Sequence, residues 1–377
     1  MNLLTVINKR RRAVLGCCLL WWTGSLLVQS VGSGTMAAQQ ALVRQILQAI
    51  YNSNPGPADE LLNQLDGRTA HHPAVDLLRA VRLHWQWFPA RTDDQLRAQL
   101  VNLLEKTADE TQTQFDKRPD DPELIFTYFT TEAMLTRMAY FDHQTLKSVG
   151  YAKKAYSYLQ KGRTYRQQYP DFSLSSGLYD YYREEYPELH PVYKPLVWFM
   201  RSGDKQNGLA QLIVASRQSL FSQVEATLYL THILVDYENR ASEALPYLAQ
   251  LARQYPNNPF FAARYAEVLL HAGRLEQAAP LIDSLVASRY PFYQQVGQLL
   301  TARLKLAQGA LKEADALAQI VLQKPPKDEA YQAWAYAVRA RVAAQGNQPK
   351  QARVFYKKVL DLAEYPILSR EAKQYLR

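Results

Sequence analysis

The feature that most constrains this chain is a short motif that recurs at a nearly constant spacing in its C-terminal half. Gly273-Arg274-Leu275-Glu276-Gln277-Ala278 reappears 36 residues later as Gly309-Ala310-Leu311-Lys312-Glu313-Ala314. Asn239–Ala244 fits the same phase without the glycine, and Gly346–Ala352 is a looser copy with one insertion. A period of this length is typical of stacked helical hairpins, because each hairpin buries its apolar face only against its neighbours.

Apolar side chains follow each motif at the spacing of one helix face. They lie four and seven positions after the alanine of the motif: Leu248 and Leu251, Ile282 and Leu285, Ala318 and Val321, Tyr356 and Val359. No segment shows sustained strand alternation, so the sequence predicts an all-α fold. In the N-terminal half we predict helices over Leu42–Tyr51, Ala58–Leu65, Ala74–Phe88, Asp94–Phe115, Glu123–Phe141 and Gln144–Tyr169. Ala152, Tyr156 and Leu159 repeat the alanine pattern there, which indicates that divergent repeats continue towards the N-terminus.

The four C-terminal units resemble the tetratricopeptide repeat, a helix–turn–helix of about 34 residues. The family has a small residue at position eight of the first helix, where two helices cross, and the equivalents here are His232, Ala266, Ala302 and Ala340. His232 departs from that pattern. The resemblance covers residues 222–366 and implies a right-handed α-solenoid with a concave binding face and a C-terminal capping helix.

The resemblance also implies which side chains line the concave face. They are Tyr229, Asp236, Tyr237, Glu267, His271, Arg303, Trp334 and Arg341, together with Ile233 and Phe260. Arg303 and Arg341 are suited to a partner's carboxylates, or alternatively to local acids on a solvated face. Tyr229 and Ile233 replace the lysine and asparagine of the family's chaperone-tail clamp, so we do not expect this chain to bind chaperone C-termini.

The middle of the chain is rich in tyrosine. Its densest cluster comprises Tyr179, Tyr181, Tyr182, Tyr186 and Tyr193, with Trp198 and Phe199. We interpret these rings mainly as core, because tyrosines every few residues cannot all face one groove; the alternative is an aromatic surface for a peptide or glycan. Together with Gly203-Asp204-Lys205 and Gly208-Leu209, the segment is similar to the Iml2 and TPR-39 subgroup and its bacterial relatives.

The N-terminus has the order of a secretory signal. The basic cluster Lys9–Arg12 precedes an uncharged, mostly apolar run, and small residues follow at 32–38. We expect residues 1–37 to be a signal peptide cleaved after Ala37, or an uncleaved anchor that provides the membrane contact. The protein is then exported, periplasmic or attached to the envelope. Translation from Met36 is a further possibility and would place it in the cytoplasm.

Composition and motifs exclude several classes of function. Without Lys9–Arg12 the formal net charge falls from +9 to +5, which is too weak for a nucleic-acid surface. Both cysteines, Cys17 and Cys18, lie in the signal-like segment, so the remaining chain has no catalytic thiol. We find no phosphate loop, zinc-protease motif or hydrolase motif, and we expect no catalytic residue, cofactor or metal. His71-His72 fits a helix start, His84 a partly buried helix face, and Glu184-Glu185 solvated charges.

The predicted organisation is a segment 1–37, an irregular helical part 38–210 and tetratricopeptide-like repeats over 211–377. The predicted function is binding: an exported scaffold that holds a peptide, a protein or an envelope component in its concave groove. One alternative is a hydrolytic or polysaccharide-processing enzyme, which requires a cleft in the N-terminal half with convergent carboxylates of raised pKa. A structural assembly subunit is the third hypothesis and requires a large exposed apolar patch. The oligomeric state stays open.

Overall fold

The computed structural model of the protein describes residues 35–189, 194, 200–362 and 366–377. Most of the signal-like segment lies outside these residues, as do His190, Tyr193, Trp198 and Phe199. Residues 34–377 form one compact unit, and the expected boundary at residue 210 falls inside a helix of that unit. No described helix combines the length and hydrophobicity that a bilayer span requires.

The described residues fold as α-helices joined by short turns, and they contain no strand, which confirms the all-α prediction. In chain order the helices are α1 Thr35–Ala38, α2 Gln40–Tyr51, α3 Pro55–Arg68, α4 Pro73–Trp87, α5 Asp94–Phe115, α6 Pro122–Phe141, α7 Thr145–Gly162, α8 Phe172–Leu189, α9 Lys205–Gln218, α10 Gln223–His232, α11 Ala241–Gln254, α12 Pro259–His271, α13 Leu275–Val286, α14 Pro291–Ala307, α15 Leu311–Gln323, α16 Glu329–Gln345, α17 Pro349–Leu362 and α18 Pro366–Leu376. From α2 onward, consecutive helices pack against each other as hairpins, from α2 with α3 to α16 with α17. The final helix α18 has no following partner.

Short polar side chains and prolines set the helix starts, as the sequence predicts. The carboxylates of Asp121 and Asp328 accept backbone N–H bonds at the starts of α6 and α16, and Asn258 does so at α12. His72 caps α4 by accepting from the N–H of Ala74 at 3.2 Å. These caps satisfy N–H groups that a helix start otherwise leaves without a partner.

One predicted helix is too long. The expected helix Gln144–Tyr169 ends at Gly162 and continues only as a 3₁₀ turn over Arg163–Tyr165. The ring of Phe172 fills the space beside Gly162, where a Cβ atom would lie 2.2 Å from Cε1 of that ring. The close packing of α8 onto this glycine therefore ends the helix early.

The turns between paired helices share one backbone conformation. Gly273 and Gly309 have φ of +70° and +78°, and Asn239 and Asn347 occupy the same place with φ of 56° and 57°. Asparagine tolerates this left-handed conformation better than most residues. The last copy of the motif therefore begins at Asn347, five residues before Ala352 like the other copies, and the insertion expected after Gly346 is wrong.

The same turn recurs in the N-terminal half. Ser53 and His143 have φ of 57° and 55°, and the N–H of the following residue donates to a carbonyl five residues earlier: Asn54 to Ala49 and Gln144 to Ala139. Arg274 and Leu269 make the equivalent bond in the C-terminal repeats at 2.8 Å. The expected continuation of divergent repeats is thus supported by turn geometry.

The register expected for the N-terminal repeats is wrong in α7. Ala152 is exposed, whereas Ala155 and Leu159 are buried on the face that packs against the neighbouring helices. In the C-terminal half the expected core positions are confirmed: Ala244, Ala278, Ala314 and Ala352 are fully buried, as are Ala266, Ala302 and Ala340. These small side chains let paired helices approach closely.

The repeat unit that has His232 in place of a small residue at position eight also has an irregular helix end. Directly after His232, the chain forms a π-helical turn over Ile233–Tyr237. The His232 Nδ1 atom lies 2.6 Å from an Asp236 carboxylate oxygen within this turn. The π-helical turn thus brings the Asp236 carboxylate next to the His232 ring.

The tyrosine-rich α8 is mainly a packing element. Tyr181 is completely buried, and Tyr186 is 41% exposed, so the core interpretation holds for the most central ring and not for every member of the cluster. Gly177 and Gly208 lie where α8 crosses α9, and a Cβ atom on Gly208 would approach the Tyr181 backbone nitrogen to 2.7 Å. The carboxylate of Asp204 caps α9 by accepting from the N–H of Asn207.

The N-terminal helices contact the C-terminal repeats directly. The Tyr51 carbonyl accepts from the Asn258 side chain at 2.9 Å, and Lys327 donates to the carbonyl of Arg91 at 3.0 Å. Trp85 packs against Phe260 with 5.4 Å between ring centroids. These contacts join parts of the chain that are more than 170 residues apart, so the N-terminal helices pack directly against the C-terminal repeats.

Candidate functional site

The structure separates the predicted groove residues into two groups. Tyr229 and Phe260 line an internal cavity near the N-terminal helices. The others are not among the residues that line it: Ile233, Asp236, Tyr237, Glu267, His271, Arg303, Trp334 and Arg341. Of these, Arg341 and the segment 233–237 contact the final helix α18. Asp236, Arg303 and Trp334 are only 6%, 7% and 3% exposed, so these three do not form an open surface.

Arg303 is held inside the protein. Its guanidinium carbon lies 3.9 Å from the ring centroid of Trp334, and Nη1 lies 3.6 Å from a Glu267 carboxylate oxygen. Burial lowers the pKa of Arg303 to about 10, against the opposing charge of Glu267. Glu267 also pairs with Arg264. The arginine expected to meet a partner therefore meets local groups, which is the alternative that the sequence left open.

His271 and Asp236 belong to the same buried cluster. The ring of His271 meets that of Trp334 edge-on at 5.0 Å, and burial together with the charge of Arg303 lowers the pKa of His271 to about 3. Burial alone would raise the pKa of Asp236, but the hydrogen bond and charge of His232 lower it. At neutral pH the cluster thus contains a neutral imidazole beside ionised, paired side chains.

The helix α18 occupies the concave face at the C-terminal end. Arg341 donates two hydrogen bonds to the carboxylate of Glu371, at 2.7 Å and 2.5 Å, and Tyr356 donates a third at 2.9 Å. Arg370 donates to the backbone carbonyl of Asp236 at 3.0 Å. The bidentate arginine–carboxylate geometry expected for a partner is therefore made by the protein's own last helix.

A cavity of about 420 Å³ adjoins the buried Arg303 cluster, because its lining includes His232 and Arg264, the partners of Asp236 and Glu267. Its walls come from α2, α4, α6, α8, α10 and α12, the first helices of six consecutive hairpins. Aromatic side chains dominate the lining: Trp85, Phe88, Phe126, Phe129, Phe221 and Phe260. This volume and lining are those of typical small-molecule or side-chain binding sites.

Two acids on the cavity wall are tied to structural donors. Glu225 accepts from the Tyr51 hydroxyl at 2.8 Å and 2.7 Å and from the Trp85 indole at 3.4 Å. Asp171 accepts backbone N–H bonds from three consecutive residues, Leu220 to Ser222, just before α10. Burial raises the pKa of both carboxyl groups in spite of these hydrogen bonds.

The basic side chains that line the cavity differ in whether they have an acidic partner. Arg264 pairs with Glu267, and His232 with Asp236. Arg137 has no carboxylate partner in the described part of the chain, and its guanidinium lies 5.1 Å from the ring centroid of Phe88. The ring of Phe88 also contacts His84, which stacks on it at 5.4 Å. Burial and the charge of Arg137 lower the pKa of His84 to about 3.

Most of this cavity is not predicted by the sequence. The partly buried helix face predicted for His84 is confirmed, whereas the sequence patterns do not point to Asp171, Glu225 or Arg137. An isolated acid within the apolar run of α10 is a signal for Glu225 that could have been noticed. Arg137 gives no signal in the sequence, because its position depends on the packing of α6 against α4.

The other histidines and acids that the sequence analysis considered make contacts within the protein. Glu185 pairs with Lys205, whose backbone N–H donates to the Glu184 carboxylate at 2.7 Å. His71 lies in the turn before α4, 3.0 Å from Asp66. Among the residues that the structure describes, no group of three or more potential ligands is arranged to hold a metal ion.

Comparison with known families agrees with the helical repeats. A tetratricopeptide repeat model matches residues 237–300, from the end of the π-helical turn into α14. This segment of the chain matches the tetratricopeptide repeat. The matched tetratricopeptide residues include four predicted groove positions: Tyr237, Phe260, Glu267 and His271.

One solved structure has a similar arrangement of helices. The crystal structure of yeast Tom70 is similar, with 14% sequence identity and a TM-score of 0.39 over 81% of this chain and 63% of Tom70. The chain thus spans less than two thirds of the Tom70 chain that it matches. A comparison with curated protein sequences finds no match.

Proposed function

We propose that the protein is an exported scaffold that binds a partner protein on the concave face of its tetratricopeptide repeats. Repeats of this kind present an extended concave surface for binding. The observation that carries the proposal is that this face already holds a helix, α18, through the Arg341–Glu371 pair. A surface that binds one helix by specific polar contacts has the chemistry to bind another.

The contacts of α18 indicate which side chains a partner helix needs. Leu368 and Ala372 are 1% and 0% exposed and lie one turn apart, while Glu371 reaches Arg341 from the adjacent position. The partner segment is therefore an amphipathic helix with small or aliphatic side chains at these two places and an acid at the third. It competes with α18 for the same face.

A labelled synthetic peptide of residues 366–377 tests this recognition in trans. In the Glu371→Gln variant the protein's own helix is held less tightly, so a larger fraction of the concave face is free. If the substitution costs about 1.4 kcal/mol, the apparent affinity for the peptide rises about tenfold over wild type. Fluorescence anisotropy measures the binding.

Controls separate recognition from unfolding. A peptide with Glu371→Gln should bind weakly to the same protein, and the control variant Lys373→Gln, which removes an exposed charge on α18, should bind the wild-type peptide as the wild-type protein does. Arg303→Glu is unsuitable as a binding variant, because it would place a buried acid beside Glu267. Equal binding of both peptides, or no binding to any variant, would contradict the proposal.

A second candidate, acid–base catalysis in the cavity, is favoured by the two carboxyl groups with raised pKa, Asp171 and Glu225. Against it, both groups already accept hydrogen bonds from structural donors. Release of reducing ends from envelope polysaccharide, abolished by Glu225→Gln, would support catalysis. An unchanged background rate in wild type and variant would exclude this pair as the source.

The assembly-subunit hypothesis has a limited basis. Leu146 and Val149 are 89% and 61% exposed and lie one turn apart on α7, near the 58% exposed Tyr140. This is a small group of side chains, not an extended patch. A concentration-dependent sedimentation coefficient that Leu146→Glu abolishes would support assembly through α7.

A further inference from the structure

The aromatic cavity has the size and lining of a small-molecule site. Its volume of about 420 Å³ lies within the range of about 300–1,000 Å³ found for such sites. Half-buried side chains such as Phe129, Met134 and Tyr229 line it together with fully buried ones such as Phe126. An occupant would therefore bury a large apolar surface.

Two polar groups at this cavity have no counter-group within the described residues. One is Arg137, an exposed side chain that borders the cavity and whose guanidinium lies over two aromatic rings: Phe88 at 5.1 Å and Phe141 at 5.3 Å. The other is His84, whose Nδ1 atom is buried without a hydrogen-bond partner. Both side chains contact the ring of Phe88, and the charge of Arg137 contributes to the lowered pKa of His84, so both groups border the same part of the wall.

The remaining charged groups of the cavity are already engaged. Arg264 is paired with Glu267 and His232 with Asp236. Asp171 is held by backbone N–H groups, and Glu225 by Tyr51 and Trp85. The cavity therefore has unused hydrogen-bond donors next to Phe88, whereas its acids already accept hydrogen bonds.

We propose that this cavity binds a small molecule with an apolar tail and a terminal carboxylate, as in a medium-chain fatty acid. The carboxylate accepts hydrogen bonds from the Arg137 guanidinium and from a ring N–H of His84. The tail lies among the aromatic side chains. The site is separate from the helix-binding face at Arg341 and does not depend on the proposed partner.

The donor set explains the choice of head group. One guanidinium and one neutral imidazole N–H match the two oxygens of a monocarboxylate with a single negative charge. A cationic ligand would leave Arg137 and His84 unused and would place like charge beside the arginine. A short acid such as acetate would reach the donors but leave the aromatic walls empty.

Isothermal titration calorimetry with the full chain tests the proposal, using decanoate, decanol and acetate as probes. We expect saturable binding of decanoate with a negative heat-capacity change, because the tail leaves water. Decanol should bind at least about tenfold more weakly, since it lacks the charge that Arg137 recognises. Acetate should show no measurable heat of binding.

Three variants locate the site. Arg137→Gln should weaken decanoate binding at least about tenfold, whereas Lys153→Gln, which removes an exposed charge on α7, should leave it unchanged. His84→Phe keeps the stacking on Phe88 and should also weaken decanoate binding. Ala133→Phe fills the cavity and should reduce the binding of decanoate and decanol together.

The outcomes are distinct. No decanoate binding to wild-type protein would overturn the proposal. Equal affinity for decanoate and decanol would overturn the carboxylate recognition, and binding that Ala133→Phe leaves unchanged would place the ligand outside the cavity. Peptide binding at Arg341 is measured independently, so failure here and failure of the scaffold function are distinguishable.

Discussion

The guanidinium of Arg303 lies between the ring of Trp334 and the carboxylate of Glu267, and the neutral ring of His271 completes the group. Such a cluster fixes the positions of its members through charge pairing and ring contacts rather than offering them to solvent. The position of Arg303 in the repeat could be predicted from the sequence. Its burial could not, because it depends on contacts with neighbouring repeats.

The low pKa of His271 makes the stability of the protein depend on pH. In the folded state this imidazole stays neutral down to about pH 3, whereas in the unfolded chain histidine titrates near 6.5. The unfolded state therefore binds the proton first, and the free energy of unfolding decreases as pH falls below about 6.5.

The expected contribution of His271 between pH 7 and pH 5 is about 1–2 kcal/mol. Urea denaturation of wild type and His271→Phe at both pH values measures it. The variant should lose less stability between the two. An identical pH dependence in both proteins would mean that His271 is not held neutral by burial.

A second prediction at this scale concerns Met36. Its side chain is fully buried, and its backbone N–H donates to both carboxylate oxygens of Glu123 at 3.0 Å and 3.1 Å. Cleavage after Ala37 would remove these bonds and leave a void, at a cost of about 2–5 kcal/mol. If the protein is exported and processed, we expect the mature chain to begin before Met36. Mass spectrometry of the secreted protein decides this, and a first residue of Ala38 would refute it.

At the scale of the helices, the turn conformation explains why some repeats are evident in the sequence and others are not. Gly273 and Gly309 reveal the left-handed turn in the sequence, because glycine adopts it without strain. Asn347, Ser53 and His143 adopt the same conformation with other side chains, so the motif there is weaker or shifted. The helix pattern is local and predictable, whereas the fit of α8 on α9 depends on three-dimensional approach.

The crossing of α8 and α9 gives a testable case. A Cβ atom on Gly208 would lie 2.7 Å from the Tyr181 nitrogen and 2.8 Å from the Gly177 carbonyl oxygen, and backbone atoms cannot easily yield. We expect Gly208→Ala to destabilise the protein by about 1–3 kcal/mol. Gly150→Ala in α7 has open space and should stabilise it by up to about 1 kcal/mol. Equal effects in thermal unfolding would contradict the close crossing.

At the scale of the whole described unit, helices that are distant in sequence contact each other directly. Tyr51 connects α2 to Glu225 on α10 and to Asn258 at the start of α12. The sequence predicts an array in which each repeat meets its neighbours, and such arrays unfold in steps when their interfaces are weak. The long-range contacts were not predictable, because repeat periodicity does not specify how far the array curves.

We therefore expect residues 38–210 and 211–377 to unfold together. Tyr51→Phe removes the hydroxyl that donates to the Glu225 carboxylate and should lower the stability of both parts by about 1–3 kcal/mol. Hydrogen exchange followed by mass spectrometry reports each part separately. Faster exchange confined to α2 and its neighbours would show that the two parts are not coupled.

The central claim is that the concave face recognises a partner helix in competition with α18. The most direct measurement is quantitative affinity capture from an envelope extract with wild-type protein, Glu371→Gln and the exposed-site control Lys373→Gln, each confirmed as folded by circular dichroism. We predict one partner that is enriched several-fold by Glu371→Gln and unchanged by Lys373→Gln, with an acidic amphipathic helix that cross-links to Arg341-containing α16. The same partners in equal amounts on all three proteins would contradict the claim.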